Sequence, residues 1–257
     1  MPMTAISGSA SGIGAATRAA LLAAGHTVLG IDLRGADIDA DLTTAQGRAS
    51  AVAAVLARCG GVLDGLVLCA GLGAQVEPPS LTVSVNYFGV VDLLDGLLPA
   101  LQRGRDGAAV VVSSVASTQL AWDANPLAAA LEQGDETLAG QIACGAGARG
   151  GHLAYAGSKN AVTVAVRRRA AAWGAAGVRL NTVAPGAVAT PLLRAGLDDP
   201  RFGQAIRDFV APIARHAQPE EIAAMILYLM GPHAGFIHGA QMVVDGGVDA
   251  LMRPTRF

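Results

Sequence analysis

The chain has 257 residues, 52% of them hydrophobic and 15% charged, and a formal net charge of −2. That composition fills a large core and leaves no electrostatic footprint for nucleic acid or for an anionic membrane. The 33 glycines follow no period, which excludes a collagen-like or linker chain. Cys59, Cys69 and Cys144 have no metal-ligand spacing and read as reduced, structural thiols. His26, His152, His216, His233 and His238 form no i, i+4 pair and have no cysteine partner, so no metal is expected. No run of eighteen apolar residues is present, and residues 1–7 read as a strand rather than a signal peptide. A soluble cytoplasmic protein is expected, with no membrane partner.

The N-terminal third alternates short β-branched runs with longer alanine/leucine runs. Met3–Ser7 reads as a strand, Gly12–Ala24 as a helix stopped by Gly25, and Thr27–Asp32 as a second strand. A helix over Thr44–Arg58 leads to the strand Gly65–Cys69. Ser84–Leu101 then reads as helix and Ala108–Ser113 as an apolar strand. Helix Ala154–Trp173, strand Val178–Val183 and a last strand, Gln241–Val244, follow. Strands that are apolar throughout, separated by helices, predict a parallel sheet covered on both faces. No Pro/Ser-rich linker divides the chain, so one doubly wound α/β domain of Rossmann type is expected.

Gly8-Ser9-Ala10-Ser11-Gly12-Ile13-Gly14 lies between the first strand and the first helix. Glycines there permit a tight turn and let the backbone approach a pyrophosphate at the helix N-terminus. The competing reading is a glycine-rich turn with no ligand. Asp32, followed by Leu33, ends the second strand, where an acid accepts from the adenosine ribose hydroxyls. A 2′-phosphate would meet that carboxylate, which favours NAD over its phosphorylated form; Arg34 nearby softens the discrimination. Asp41-Leu42, read as the end of a short third strand, would hold the adenine amino group or else lie in a solvated loop.

Tyr155 and Lys159 are four residues apart, one helical turn on one face. A fixed ammonium favours a phenolate and lowers its pKa from about 10, giving a general acid/base for an alcohol or a carbonyl. Ser114 follows the strand Ala108–Ser113, so its hydroxyl is expected at the strand's C-terminal end, where open α/β sheets bind ligands.

These residues resemble the short-chain dehydrogenase/reductase family over essentially the whole chain. The resemblance lies in Gly8-x-x-x-Gly12-Ile13-Gly14, Cys69-Ala70-Gly71, Asn86, Ser113-Ser114, Tyr155-x-x-x-Lys159, Asn181-x-x-x-Pro185-Gly186 and Asp245-Gly246-Gly247. It implies that Ser114 hydrogen-bonds the substrate oxygen and that Tyr155 transfers the proton. It further implies that Lys159 lowers the tyrosine pKa and donates to the nicotinamide ribose, and that Asn86 holds a water between lysine and solvent. For Asn86 the alternative is a satisfied buried asparagine. Gly8, Ser11, Gly12, Ile13, Gly14, Asp32, Leu33, Asp41, Leu42, Cys69, Ala70 and Gly71 would line the cofactor. So would Tyr155 and Lys159, and Pro185, Gly186, Val188 and Thr190 would orient its nicotinamide. Cys69 stands where the family usually has asparagine and reads as tolerated packing rather than a nucleophile.

The resemblance implies an NAD(H)-dependent interconversion of a secondary alcohol and a ketone. The substrate expected is bulky and hydrophobic, a steroid 3α-hydroxyl or 3-oxo group. A 3-oxoacyl or general carbonyl reductase is the second reading. The third is a catalytically silent dinucleotide-binding regulator, which expects loss of Ser114, Tyr155 or Lys159; all three are present.

Ser114 and Tyr155 are forty-one residues apart, far more than the dozen usual in the family. The extra segment, about 120–151, is expected to be helical, with an Asn125-Pro126 start, a helix over Leu127–Gln133, Gly134 as a stop and Asp135 capping a second helix through Ala143. It would either wall the substrate pocket or cover a helix face used for subunit contact. The wall reading has Trp122 lining the pocket; Trp173 is expected in the core. The covering reading buries Leu127, Leu131, Leu138 and Ile142 and leaves a homodimer built on Pro219–Met230 and Gln241–Val244. The stretch 190–212, with Leu192, Leu193, Leu197, Phe202, Ile206 and Phe209, is expected to form a lid over an apolar pocket.

Overall fold

A computed structural model describes residues 1–256. Strand β1 (Met3–Ser7) pairs in parallel with β2 (Thr27–Asp32) on one side and β4 (Gly65–Leu68) on the other. The two-residue β3 (Ile38–Asp39) flanks β2, and β5 (Ala108–Val112), β6 (Arg179–Pro185) and β7 (Gln241–Val244) extend the sheet beyond β4. The order is β3-β2-β1-β4-β5-β6-β7, parallel throughout. Strand order reverses between β1 and β4, and a crevice at such a switch point is where this architecture takes ligands.

The continuous apolar runs of the strands divide between two cores with period two. Ala5, Leu66, Leu68, Ala109 and Val111 face one side, where they join residues of α2 (Ala45–Arg58), α4 (Gly89–Leu101) and α7 (Gly150–Ala175). Ile6, Val67, Val110 and Val112 face the other, under α1 (Gly12–Ala23) and α10 (Pro219–Met230). Burial of both faces explains why the sequence shows runs rather than alternation.

Helix α7 begins at Gly150, four residues earlier than the sequence suggests, and Tyr155 therefore sits well inside it. The helix expected over Ser84–Leu101 is longer and broken in character. It starts as α3 (Pro79–Val83), passes through a π-helical turn at Ser84–Phe88, and continues as α4. As one run, Pro79–Leu101 is long and apolar enough to cross a membrane by length and composition, but 72% of its most apolar window is buried inside the fold. It is a core helix.

The insertion is ordered around two helices, α5 (Ala128–Glu132) and α6 (Glu136–Gly145). Asn125 accepts from the Leu127 N–H at 3.1 Å while its amide donates to the Gly157 carbonyl at 3.0 Å, tying the helix start to α7. Asp135 caps α6 through the Leu138 N–H at 2.9 Å. Leu127 and Leu131 are fully buried, as expected, whereas Leu138 is 40% exposed. Helix α6 instead buries Ala139, Gly140 and Ala143, because it lies so close to α3 that a Cβ on Gly140 would come within 3.0 Å of Ser80. Glu136 closes the arrangement by pairing with Arg48 of α2 at 2.6 Å; Arg48, 2% exposed, also donates to Asp92 of α4 at 2.6 Å.

Candidate active site

At the C-terminal end of β1 the chain turns through Gly8 with φ +69° and enters α1. Two glycines are required by close approach. A Cβ on Gly8 would lie 2.6 Å from the Ala70 nitrogen, and one on Gly14 would lie 1.9 Å from the Gly8 carbonyl oxygen. The turn is therefore folded against the end of β4. Together Gly8, Ser11, Gly12, Ile13 and Gly14 form one wall of a cleft that continues past Asp32, Leu33, Asp41 and Leu42. Such a cradle of backbone beside a helix N-terminus suits a dinucleotide pyrophosphate. Asp32 holds this wall in shape: its carboxylate accepts from the Ala10 N–H at 2.9 Å and the Leu33 N–H at 2.7 Å. Asp41 lies two residues beyond β3, not at its end as the sequence suggests. Thr43 donates to it through both N–H (2.9 Å) and hydroxyl (2.6 Å), which holds its carboxyl below the usual carboxylate range.

The opposite wall carries Ser114, Tyr155 and Lys159 with Cys69, Ala70, Gly71, Pro185, Gly186, Val188 and Thr190. Ser114 follows β5 and starts a short 3₁₀ turn, accepting from the Ala116 N–H at 3.2 Å. Lys159 is the only lysine in the chain. Only 5% exposed, it donates from Nζ to the Val112 carbonyl at 2.8 Å, and burial pushes its ammonium down to about 8. Burial pushes the Cys69 thiol up to about 12, with Lys159 pulling the other way, so this cysteine is not a ready nucleophile.

One expectation needs correction. The Tyr155 pKa is raised rather than lowered in this structure: burial raises it, and the Ser114 hydroxyl is the opposing influence. The Lys159 ammonium is turned to the Val112 carbonyl and is itself depressed by burial. Asn86 lies in the π turn, fully buried, and its side chain is satisfied by backbone: it accepts from the Leu72 N–H at 2.8 Å and donates to the Leu72 carbonyl at 3.0 Å. It borders the lysine all the same, for a Cβ on Gly71 would meet Asn86 Oδ1 at 3.2 Å and Lys159 Nζ at 3.4 Å.

Sequence reading missed Leu72 and Val112 among the cleft residues. Val112 acts through a backbone carbonyl, which leaves no mark in the sequence. No residue of 120–151 lines the cleft, so Trp122 does not; its ring instead takes the Arg168 guanidinium at 5.2 Å. Trp173 is buried in the core. Leu192 and Leu193, from α8 (Pro191–Asp198), do reach the cleft.

Residues 3–130 match the short chain dehydrogenase family, and residues 133–249 match the enoyl-(acyl carrier protein) reductase family. The chain is 62% identical to the 3-alpha-hydroxysteroid dehydrogenase/carbonyl reductase of Comamonas testosteroni, over 100% of both chains. The chain belongs to the short-chain dehydrogenase/reductase family. It is 32% identical to the D-threitol dehydrogenase of Mycolicibacterium smegmatis, over 94% of this chain and 90% of that one. Among solved structures, the 3-alpha-hydroxysteroid dehydrogenase of Pseudomonas sp. B-0831 complexed with NADH superposes with a TM-score of 0.96. That pair shares 56% identity, over 99% of this chain and 100% of the other. As a short-chain dehydrogenase/reductase the chain is an oxidoreductase, and its cleft brings a phenol, a hydroxyl and an amine to one wall and a glycine turn with an aspartate to the other.

Proposed function

We propose that this enzyme uses NAD(H) to interconvert the 3α-hydroxyl and 3-oxo groups of steroids, and that it also reduces other carbonyl compounds. The observation that carries the reading is the 62% identity to the Comamonas dehydrogenase/reductase over the full length of both chains, insertion included. The cleft agrees with it chemically. Ser114 would hold the substrate oxygen and Tyr155 would give or take its proton. Lys159, with Asn86 beside it, would fix the nicotinamide ribose, and Asp32 would accept from the adenosine ribose hydroxyls. The cofactor supplies or accepts the hydride; Pro185, Gly186, Val188 and Thr190 orient the end from which it moves.

Helices α8 and α9 (Gly203–Asp208) serve as the substrate lid, with Leu192 and Leu193 as its apolar inner face. Helices α5 and α6 cover α3 and the N-terminal half of α7, closing one face to subunit contact. The contact left free is at α10 and β7, where Tyr228 and Val243 are exposed, as is Phe236 between the two elements, and it supports a homodimer. The protein works in the cytoplasm.

The test is NAD-linked oxidation of androsterone, compared with NADH-linked reduction of an acetoacetyl thioester. Faster turnover of androsterone is expected; a strong preference for the thioester would favour the 3-oxoacyl reductase reading. Tyr155→Phe should lower kcat on androsterone by about 10²–10⁴-fold while NAD binding holds. A variant keeping more than about a tenth of wild-type kcat would refute the proton-transfer role.

A further inference from the structure

Arg201 lies between α8 and α9, outside the cleft, and its guanidinium has three anchors. Nε and one terminal nitrogen donate to the two oxygens of Asp199, at 3.1 and 2.9 Å, which fixes the turn between the helices. The same terminal nitrogen donates to the Gln75 carbonyl at 2.9 Å, and the other pairs with Glu77. Gln75 and Glu77 belong to the loop that runs on from the Cys69-Ala70-Gly71 wall of the cleft. Among the described residues, and apart from the Thr190 hydroxyl that caps α8 through the Leu193 N–H at 3.2 Å, the contacts to Gln75 and Glu77 are the only side-chain hydrogen bonds that leave the segment 191–208. Apolar packing adds to them. Phe202, whose ring lies 5.1 Å from the Arg201 guanidinium, reaches Gly151 at the start of α7, and Gly196 of α8 faces both Ile206 and Gln75.

We propose that Arg201 is a positioning residue for the reaction: its fork latches the α8–α9 segment against Gln75 and Glu77 while substrate occupies the cleft. The proposal rests on the reading of that segment as the substrate lid. Arg201 and Glu77 are 46% and 55% exposed, so the latch is weak and screened by salt. Weakness suits the task, because a lid has to open in every turnover and a permanent buried pair would hold product in. The planar fork matters as much as the charge. It spans a carboxylate on each side and a carbonyl between, a pattern that a lysine ammonium does not match.

Hydrogen–deuterium exchange of the cofactor-free enzyme tests the latch without any substrate. Arg201→Ala and Glu77→Gln should each speed exchange across 191–208 about threefold or more while the sheet and α7 stay unchanged, and Arg201→Lys should recover part of the loss. In steady-state oxidation of androsterone at saturating NAD, the same two variants should raise KM about threefold or more, with kcat unchanged or higher and the NAD dissociation constant within about twofold of wild type. Unchanged exchange over 191–208 would overturn the latch. So would a faster-exchanging segment with an unchanged KM, or a loss of NAD affinity equal to the rise in KM. If wild type itself fails on androsterone, the functional reading falls, and the kinetic arm runs on cyclohexanol with the same criteria.

Discussion

Removing the charge of Lys159 should make the cofactor-free protein more stable near neutral pH. The lysine is 5% exposed and its pKa falls from 10.5 to about 8 on burial. An unfolded chain binds this proton up to about pH 10.5, whereas the folded chain gives it up near 8. Lysine in that position costs stability, fully below pH 8, and the cost fades as pH rises to 10.5. At about 1.4 kcal/mol per pH unit, the cost is about 3 kcal/mol at pH 7 and about 1 kcal/mol at pH 9.5. Lys159→Met keeps the length of the side chain but leaves the Val112 carbonyl without its donor at 2.8 Å, a loss of about 1 kcal/mol at either pH. Urea denaturation at one protomer concentration should therefore find the variant about 2 kcal/mol more stable at pH 7 and nearly equal to wild type at pH 9.5. The lost hydrogen bond cancels in the difference between the two pH values, so that difference isolates the charge. A variant less stable at pH 7, or one whose advantage changes by less than about 0.5 kcal/mol between the two, would refute the reasoning.

Asp32→Ala should weaken NAD and improve the phosphorylated cofactor. Like charges about 4 Å apart cost on the order of 4 kcal/mol at an effective dielectric of about 20, and even half of that is more than a tenfold change in the ratio of kcat/KM values; an unchanged ratio would sink the assignment. Sedimentation equilibrium should return a dimer mass, and a stable tetramer at micromolar concentration would remove the covering role of the insertion.

The sheet was legible because burial on both faces imposes a continuous apolar composition: Gly65–Leu68 and Ala108–Val112 are apolar throughout and too short for an ordinary helix. The glycine turn was legible for a similar reason, since Gly8 and Gly14 sit where no side chain fits. Helix ends were harder. Gly150 and Gly151 look like a break, yet they open α7, because a Cβ at Gly151 would strike the Ala74 carbonyl at 2.0 Å and glycine is needed for the approach. The second helix of the insertion was found, but not its buried face. The leucine spacing pointed to Leu138, whereas the close crossing over Ser80 selects small residues. The site residues announced themselves by type and spacing. Their electrostatics did not, since the depressed lysine and the raised tyrosine depend on burial and on a carbonyl that no motif records.

That single lysine also decides how the protein responds to amine chemistry. Seventeen arginines carry every other cationic side chain apart from the histidines, so a reagent that couples to amine side chains has one target, the buried Lys159. Coupling to an activated support through that side chain would wait on opening of the fold and would take the active site with it. A protease that cuts after lysine has one bond to attack, in the middle of α7, and its cleavage rate becomes a direct clock for the opening of that helix.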